Sequence, residues 1–470
     1  MKNSSVRKKR DGMHPWTILL IMLVLSAVAG YLIPSGLYDR VATPDGRTVV
    51  DPDTFRFVTE SDLSLIGIMT AIPRGIREAI DVIIITFMIG GAFGIIKKTG
   101  MLNIGVKKLV KTFETKKLAI IFVLSAVFVL ITGFIGVPEL ALIYIPVLMP
   151  LLFALGFDSM VTVAISLTAT AAGFGAAWSA PGTVGLGHVL SELPMYSGMG
   201  FRVLTAIALA LTSAVYIAVY ARKVLKDPTA SIVYEDDLVH RKEIEKQTEN
   251  EEQSVYPRVK LAGIIAILLF IGLILGVIFF TWGFDEMSGY FILLGVIPGL
   301  VAGMKFNEVL NAFVVGLRDM LVGAFIIGIA RAIAVVLTDA MVMDTIIMVL
   351  ARFVVVLPSQ IASLGIFFVT TTFNAVIASG SGKAIIALPI MLPLADITDV
   401  TRQTTILAYQ LGDGITNILW PASGYFMAAL AIGNVSYKKW VKWFLPLLVI
   451  WLIVASVILI IANLIGFGPF

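Results

Sequence analysis

Apolar residues fall in blocks of about 16–40 along most of this chain, separated by short polar stretches. Blocks that reach about 20 residues with few charges predict membrane-spanning helices. Continuous spans are predicted at residues 16–33, 81–96, 201–221, 261–281, 290–302, 320–337 and 444–465. Two further blocks, 159–196 and 403–432, cross as broken helices, interrupted between Gly173 and Gly187 and at Gly412-Asp413-Gly414. The blocks 118–157 and 359–394 each carry glycine and charge in their middle, which predicts re-entrant hairpins with tips near Gly133–Glu139 and Ser379–Lys383. Residues 63–80 and 304–318 are expected as helices lying at the interface. The fold class is thus an all-α polytopic membrane protein with about nine transmembrane helices, two opposed re-entrant hairpins and two broken helices.

The interrupted blocks occur twice. Ile145-Pro146-Val147-Leu148-Met149-Pro150 is matched about 240 residues on by Leu388-Pro389-Ile390-Met391-Leu392-Pro393. Trp178-Ser179-Ala180-Pro181-Gly182 has its counterpart around Asn417 to Ser423, and Gly75-Ile76-Arg77-Glu78 matches Gly316-Leu317-Arg318-Asp319. Three matches in register predict a duplication. One extra span before the second copy makes the two repeats inverted in topology. Paired interrupted segments in two halves point to the binding site of a secondary transporter.

Basic residues set the orientation. Lys2, Arg7, Lys8, Lys9 and Arg10 precede the first span and place the N-terminus in the cytoplasm. Lysines between 97 and 117, Arg222, Lys223 and Lys226, and Lys438, Lys439 and Lys442 mark further cytoplasmic ends, so the C-terminus is expected outside. Ala27-Val28-Ala29-Gly30 resembles a signal-peptidase site, but the first span is expected to stay uncleaved, because the later topology then closes. The acid-rich residues 34–62 read as an outer loop. Three parts follow: a first half, 1–221, with a cytoplasm-facing hairpin at 118–157; a charged cytoplasmic linker, 222–260; and a second half, 261–470, with an outside-facing hairpin at 359–394.

Composition agrees. The chain has 470 residues, is 58% hydrophobic and 14% charged, and has a mean hydropathy of +0.96. That makes it a multi-pass membrane protein with the bilayer as partner; the expected location is the plasma (inner) membrane. The net charge of +4 sits in short loops and reads as topology, not nucleic-acid binding. With no cysteine and three scattered histidines, neither disulfides nor a metal cluster is expected.

Four ionisable residues fall at membrane depth: Glu139, Arg331, Lys383 and Asp413. Each costs at least about 2.5 kcal/mol there unless paired, hydrated or liganded. Two are acidic and two basic, so mutual pairing is the ordinary alternative to a role in binding. A hairpin tip offers backbone N–H groups that suit a carboxylate, and Gly136, Asn374, Ser379, Gly380 and Ser381 lie at or near the tips. Broken helices expose carbonyls that suit Na⁺ or an ammonium group, which brings in Asn417 and Ser423. Trp178 and Trp420 flank the prolines after the breaks; Trp178 and Ser179 are candidate pocket walls. Gly380-Ser381-Gly382-Lys383 lacks the spacing of an ATP-binding loop, and no nucleophile with its base is recognisable, so an enzyme is not expected. No cofactor is called for; a coupling ion would be Na⁺ or H⁺.

The strings ASGSGKA, LPIMLPLAD, TRQTTILAYQLGDGITN and WPASG, with GVPELALIYIPVLMPLLFALGFDS in the first half, resemble the YfcC-type branch of the anaerobic four-carbon dicarboxylate carrier family. The resemblance covers nearly the whole chain. It implies the ion transporter superfamily, a homodimer, a scaffold and a transport domain in each protomer, and elevator-type movement. The branch is linked to basic amino acid transport, including arginine–ornithine exchange. Sodium-coupled dicarboxylate members carry Ser-Asn-Thr at the tips, whereas this chain has Gly136-Val137-Pro138-Glu139 and Ser379-Gly380-Ser381. Carboxylates at a tip and a break would repel a dianion and suit a guanidinium or ammonium group. The expected cargo is a basic amino acid. Glu139 and Asp413 would take its cationic groups. Lys383, Ser379, Ser381 and the tip amides would take its carboxylate. A four-carbon dicarboxylate carrier, with Lys383 and Arg331 as anion ligands, is the alternative; a channel or passive exporter and a membrane interaction protein are the other classes.

Overall fold

The structure is a computed structural model; it describes residues 15–42, 48–59, 63–238, 256–280, 282–355 and 357–468. It is mostly helical. Seven helices among the described residues are long and apolar enough to cross a bilayer. These are α1 (Pro15–Leu32), α3 (Ile80–Lys98), α9 (Met199–Lys226), α10 (Val259–Phe280), α11 (Phe284–Ala302), α12 (Phe306–Asp339) and α18 (Tyr437–Leu464). They fall on the seven blocks predicted as continuous spans. Between them lie α2 (Leu65–Glu78), α4 (Met101–Phe113), α5 (Ala119–Ile135), α6 (Ala141–Ala154), α7 (Ser159–Gly175) and α8 (Leu186–Leu190). The second half adds α13 (Met343–Val355), α14 (Ser359–Phe373), α15 (Gly380–Ile397), α16 (Arg402–Thr416) and α17 (Gly424–Ile432). The succession α4–α9 is thus matched, helix by helix, by α13–α18.

The helices form two packed groups. In the first, α12 lies against α1, α2 and α3, while α11 packs between α3 and α10. Glycines allow these close crossings: a Cβ on Gly316 would overlap the Gly90 carbonyl oxygen, and one on Gly75 would stand 2.6 Å from the Ala332 backbone nitrogen. In the second group α7 packs on α5, α6 and α9, and α16 on α14, α15, α18 and α7. The principal junction between the groups is α12 against α17.

Three expectations change. Residues 304–318 do not form a separate interfacial helix. They are the first half of α12, which runs 34 residues without a break. The stretch contains no proline, and Gly316 stays helical because it seats on Gly90. Gly412-Asp413-Gly414 does not break its helix either. α16 continues through it to Thr416, and the chain leaves helix only at 417–423. The two glycines are contact points: Gly412 faces the Phe367 carbonyl and Thr370 of α14, and Gly414 faces Gly175 of α7. The outer loop carries four short strands, with β1 (Gly36–Leu37) paired to β4 (Arg56–Phe57) and β2 (Arg40–Ala42) to β3 (Thr48–Val50). Arg40 and the Tyr38 amide both bind the buried Asp344, which ties this loop to the start of α13. Burial, then the Asp344 charge, pushes the Tyr38 hydroxyl up to about 12.

Of the expected linker, 222–260, α9 takes the start and residues 239–255 lie outside the described residues. The part just after α9 is anchored. Asp158 accepts from Tyr220 Oη and Ser231 Oγ, both at 2.6 Å, and Asp237 accepts from the Ser159 amide at 2.8 Å. Two carboxylates therefore sit at the N-terminus of α7, where exposed N–H groups favour negative charge.

Candidate functional site

Helix is interrupted at both expected tips, where the sequence changes character. α5 ends at Ile135, and Gly136 takes φ +72°, a left-handed conformation that admits glycine at little cost. A single turn, Pro138–Leu140, then leads into α6. In the second half α14 ends at Phe373 and α15 begins at Gly380, with Ser379 extended before it. The two turns line one cavity of about 890 Å³. Its remaining wall comes from the α2–α3 junction, the end of α7 and the segment after it, the turn before α11, α12 and the segment leading into α17.

The structure sorts the twelve candidate residues. Gly136, Glu139, Ser179, Ser379, Gly380 and Asn417 line the cavity. Ser179 Oγ donates to the Phe134 carbonyl at 2.8 Å, which fixes the first turn against the segment after α7. Trp178 lies behind that turn, buried, edge-on to Phe134 and covering Gly133. Ser423 is buried at the start of α17, and the Ser381 side chain lies outside the described residues.

Lys383, Asp413 and Asn374 form one cluster behind the second turn, all with no solvent exposure. Lys383 Nζ donates to Asp413 Oδ1 and Asn374 Oδ1, both at 2.8 Å, and stands 5.7 Å from the Tyr409 ring centre. Asn374 Nδ2 reaches the Asp413 carbonyl at 3.0 Å, Thr416 Oγ1 at 3.0 Å and Asn417 Oδ1 at 3.1 Å. Asn417 Nδ2 also donates to Asp413 Oδ1 at 3.1 Å. Lys383 therefore faces away from the cavity and is an internal counter-charge for Asp413. The second oxygen, Asp413 Oδ2, has no hydrogen-bond partner among the described residues and lies 3.0 Å from where a Cβ on Gly380 would stand. Gly380 itself, with Phe174 and Thr183 beside the same spot, lines the cavity.

Sequence reasoning missed the opposite wall. Glu78 and Asp81 line the cavity together with Arg331, and Arg331 Nε donates to Glu78 at 3.0 Å. In the sequence Glu78 stands in a repeated string and in the helix expected at the interface, with nothing else to mark it as a site residue. Its signal was the match of that string to Arg318-Asp319 of α12, the helix that carries Arg331. Tyr425, Tyr196 and Thr183 add hydroxyls to the lining, and nothing in their spacing marks them. Among the described residues, the charged lining is thus three carboxylates (Glu78, Asp81, Glu139) against one guanidinium. Facing Glu139 is the N-terminal end of α15, whose first amides have no intrahelical acceptor. The arrangement offers an anionic field with one patch of amide donors.

Residues 14–464 match the model of the DcuC family, C4-dicarboxylate anaerobic carrier. A curated protein of Escherichia coli (strain K12), provisionally named basic amino acid antiporter YfcC, is 30% identical over 488 residues, covering 96% of each chain. An uncharacterized protein of Haemophilus influenzae (strain ATCC 51907 / DSM 11121 / KW20 / Rd) is 26% identical over 499 residues, covering 97% of this chain and 98% of its own. Two solved transporters also align. Alcanivorax borkumensis YdaH has a TM-score of 0.43 and 17% identity, covering 97% of this chain and 100% of its own. Neisseria gonorrhoeae MtrF has a TM-score of 0.40 and 18% identity, covering 96% and 95%.

Proposed function

The chain belongs to the C4-dicarboxylate anaerobic carrier family, and on that premise we propose that this membrane transporter exchanges basic amino acids of the arginine–ornithine type. The observation that carries the reading is the charge of the cavity wall: Glu78, Asp81 and Glu139 outnumber Arg331. A dicarboxylate would meet two carboxylates left over after the Arg331–Glu78 pair. An α-amino acid with a cationic side chain fits the same wall with opposite sign. Its carboxylate goes to the open amides of Gly380, Ser381 and Gly382, its α-ammonium to Glu139, and its side-chain cation to the Glu78–Asp81 wall. Lys383 holds no substrate in this scheme. It keeps Asp413 neutralised and poised behind Gly380.

In the same reading the repeats are inverted, and α5–α9 with α14–α18 move as a body past α1–α3 and α10–α12. The helix-by-helix match and the meeting of the two turns at one cavity support this. The protein would work as a homodimer in the inner membrane, N-terminus cytoplasmic and C-terminus outside. An exchanger draws its driving force from the outgoing solute. The test is uptake of labelled arginine into proteoliposomes loaded with ornithine. Wild-type protein should show saturable uptake that needs internal ornithine, and Glu139→Gln should lower it at least ten-fold. Uptake of succinate alone would return the cargo to the dicarboxylate alternative; flux without saturation or counter-substrate would point to a channel.

A further inference from the structure

Away from the cavity, the first turn of α9 holds a charge that the fold does not balance. Arg202 has no solvent exposure, and its Nε, Nη1 and Nη2 have no hydrogen-bond partner among the described residues. A guanidinium cannot shed its proton in a protein, so this is a full positive charge removed from water. Its surroundings add to it. α9 begins at Met199 after Gly198, which has φ +73° and provides no side-chain cap, and no acidic residue lies in the first turn. The positive end of a 28-residue helix thus falls on the same spot. An arginine there is electrostatically adverse by itself.

The neighbours are polar but neutral. His188 Nδ1 accepts from the Tyr196 amide at 2.9 Å, so the proton sits on Nε2, which donates to Gln403 Oε1 at 2.9 Å. Gln403 Nε2 in turn donates to Ser197 Oγ at 3.1 Å. Gln403 is fully buried. Phe467 closes the region, its ring 4.5 Å from that of Phe201 and its carbonyl accepting from Thr401 Oγ1 at 2.6 Å. No carboxylate among the described residues is paired with Arg202.

We propose that the Arg202 guanidinium and the open amides of the α9 N-terminus form a binding site for a small monovalent anion, a halide or a short carboxylate. Among the described residues the groups named above are neutral, so the unpaired guanidinium requires such a counter-charge, and the open amides of the α9 N-terminus belong to the same turn of helix. The bound anion would join α9 to the His188–Gln403 pair, and so to α8 and α16, the two helices next to the chain breaks.

The test uses the full chain in lipid nanodiscs, with thermal unfolding followed by intrinsic tryptophan fluorescence. Sodium chloride, bromide or acetate replaces sodium gluconate at constant ionic strength. Wild-type protein should unfold at a temperature that rises saturably with the small anion, and Arg202→Met should abolish the rise. If Arg202→Met does not fold, bromide soaked into wild-type crystals should give an anomalous peak within hydrogen-bonding distance of the guanidinium. Absence of any anion dependence in wild type, an equal response in Arg202→Met, or no bromide at Arg202 would each overturn the site.

Discussion

The Lys383–Asp413 pair lies behind the charged cavity wall, and it makes a sharp claim about single residues. Both side chains are fully buried and 2.8 Å apart. Removing one partner leaves an uncompensated buried charge, which costs about 3–5 kcal/mol, whereas removing both together can be nearly neutral. Lys383→Met and Asp413→Asn should each lower the unfolding temperature markedly. The double variant should recover most of the loss. Additive losses in the double variant would mean the pair contributes nothing as a pair. That these residues matter was legible in the sequence, because charges at membrane depth need a reason. Their partnership was not, because 30 positions separate them and the contact is made only when the second turn folds back onto α16. The charges at Glu78 and Asp81 were missed for a related reason: they sit at a junction that looked interfacial, and only the cavity gives them a common purpose.

At the scale of helices, the glycines set the architecture. The sequence marks Gly173, Gly175, Gly412 and Gly414 as irregular and predicts broken helices; α7 does end at Gly175, whereas α16 runs on through Gly412 and Gly414. Contacts explain all four glycines. Gly173 seats on the Val129 carbonyl and Thr132 of α5; Gly412 seats on the Phe367 carbonyl and Thr370 of α14; and Gly175 and Gly414 meet each other. A helix tolerates glycine at a cost of about 1 kcal/mol when the missing Cβ lets two backbones touch. The crossing is unequal. A Cβ on Gly414 would overlap the Gly175 Cα, while one on Gly175 would stand at an ordinary 3.4 Å from the Gly414 Cα. Gly414→Ala should therefore push α16 off α7, strain the Gln410–Phe174 hydrogen bond of 2.7 Å and lower both expression and unfolding temperature. Gly175→Ala should be near neutral. Thermal unfolding of the two variants side by side reads the difference, and equal behaviour would mean the helices cross differently. Element type and order were readable from hydropathy because bilayer length constrains them strongly. Continuity was not, since hydropathy is blind to what a glycine touches.

For the whole molecule the question is whether the two helix groups slide past each other. The proposed movement needs α17 to shift along α12, the principal junction between the groups. Here the absence of cysteine becomes useful, because any introduced pair is the sole thiol pair in the chain. A Cβ built on Gly323 of α12 lies 3.6 Å from the Ala428 Cβ of α17, within the separation of about 3.5–4.5 Å that a disulfide spans. Gly323→Cys with Ala428→Cys should therefore oxidise readily, and the bridge would hold the groups as they stand. If transport requires sliding, oxidised protein in proteoliposomes should still bind arginine, because the cavity residues are untouched, yet lose exchange. Reduction should restore it, and either single cysteine should be indifferent to oxidant. Binding and exchange both surviving the bridge would leave α12 and α17 a static seam. The solute would then have to cross by local movement of the two turns, with the rest of the molecule acting as a fixed frame.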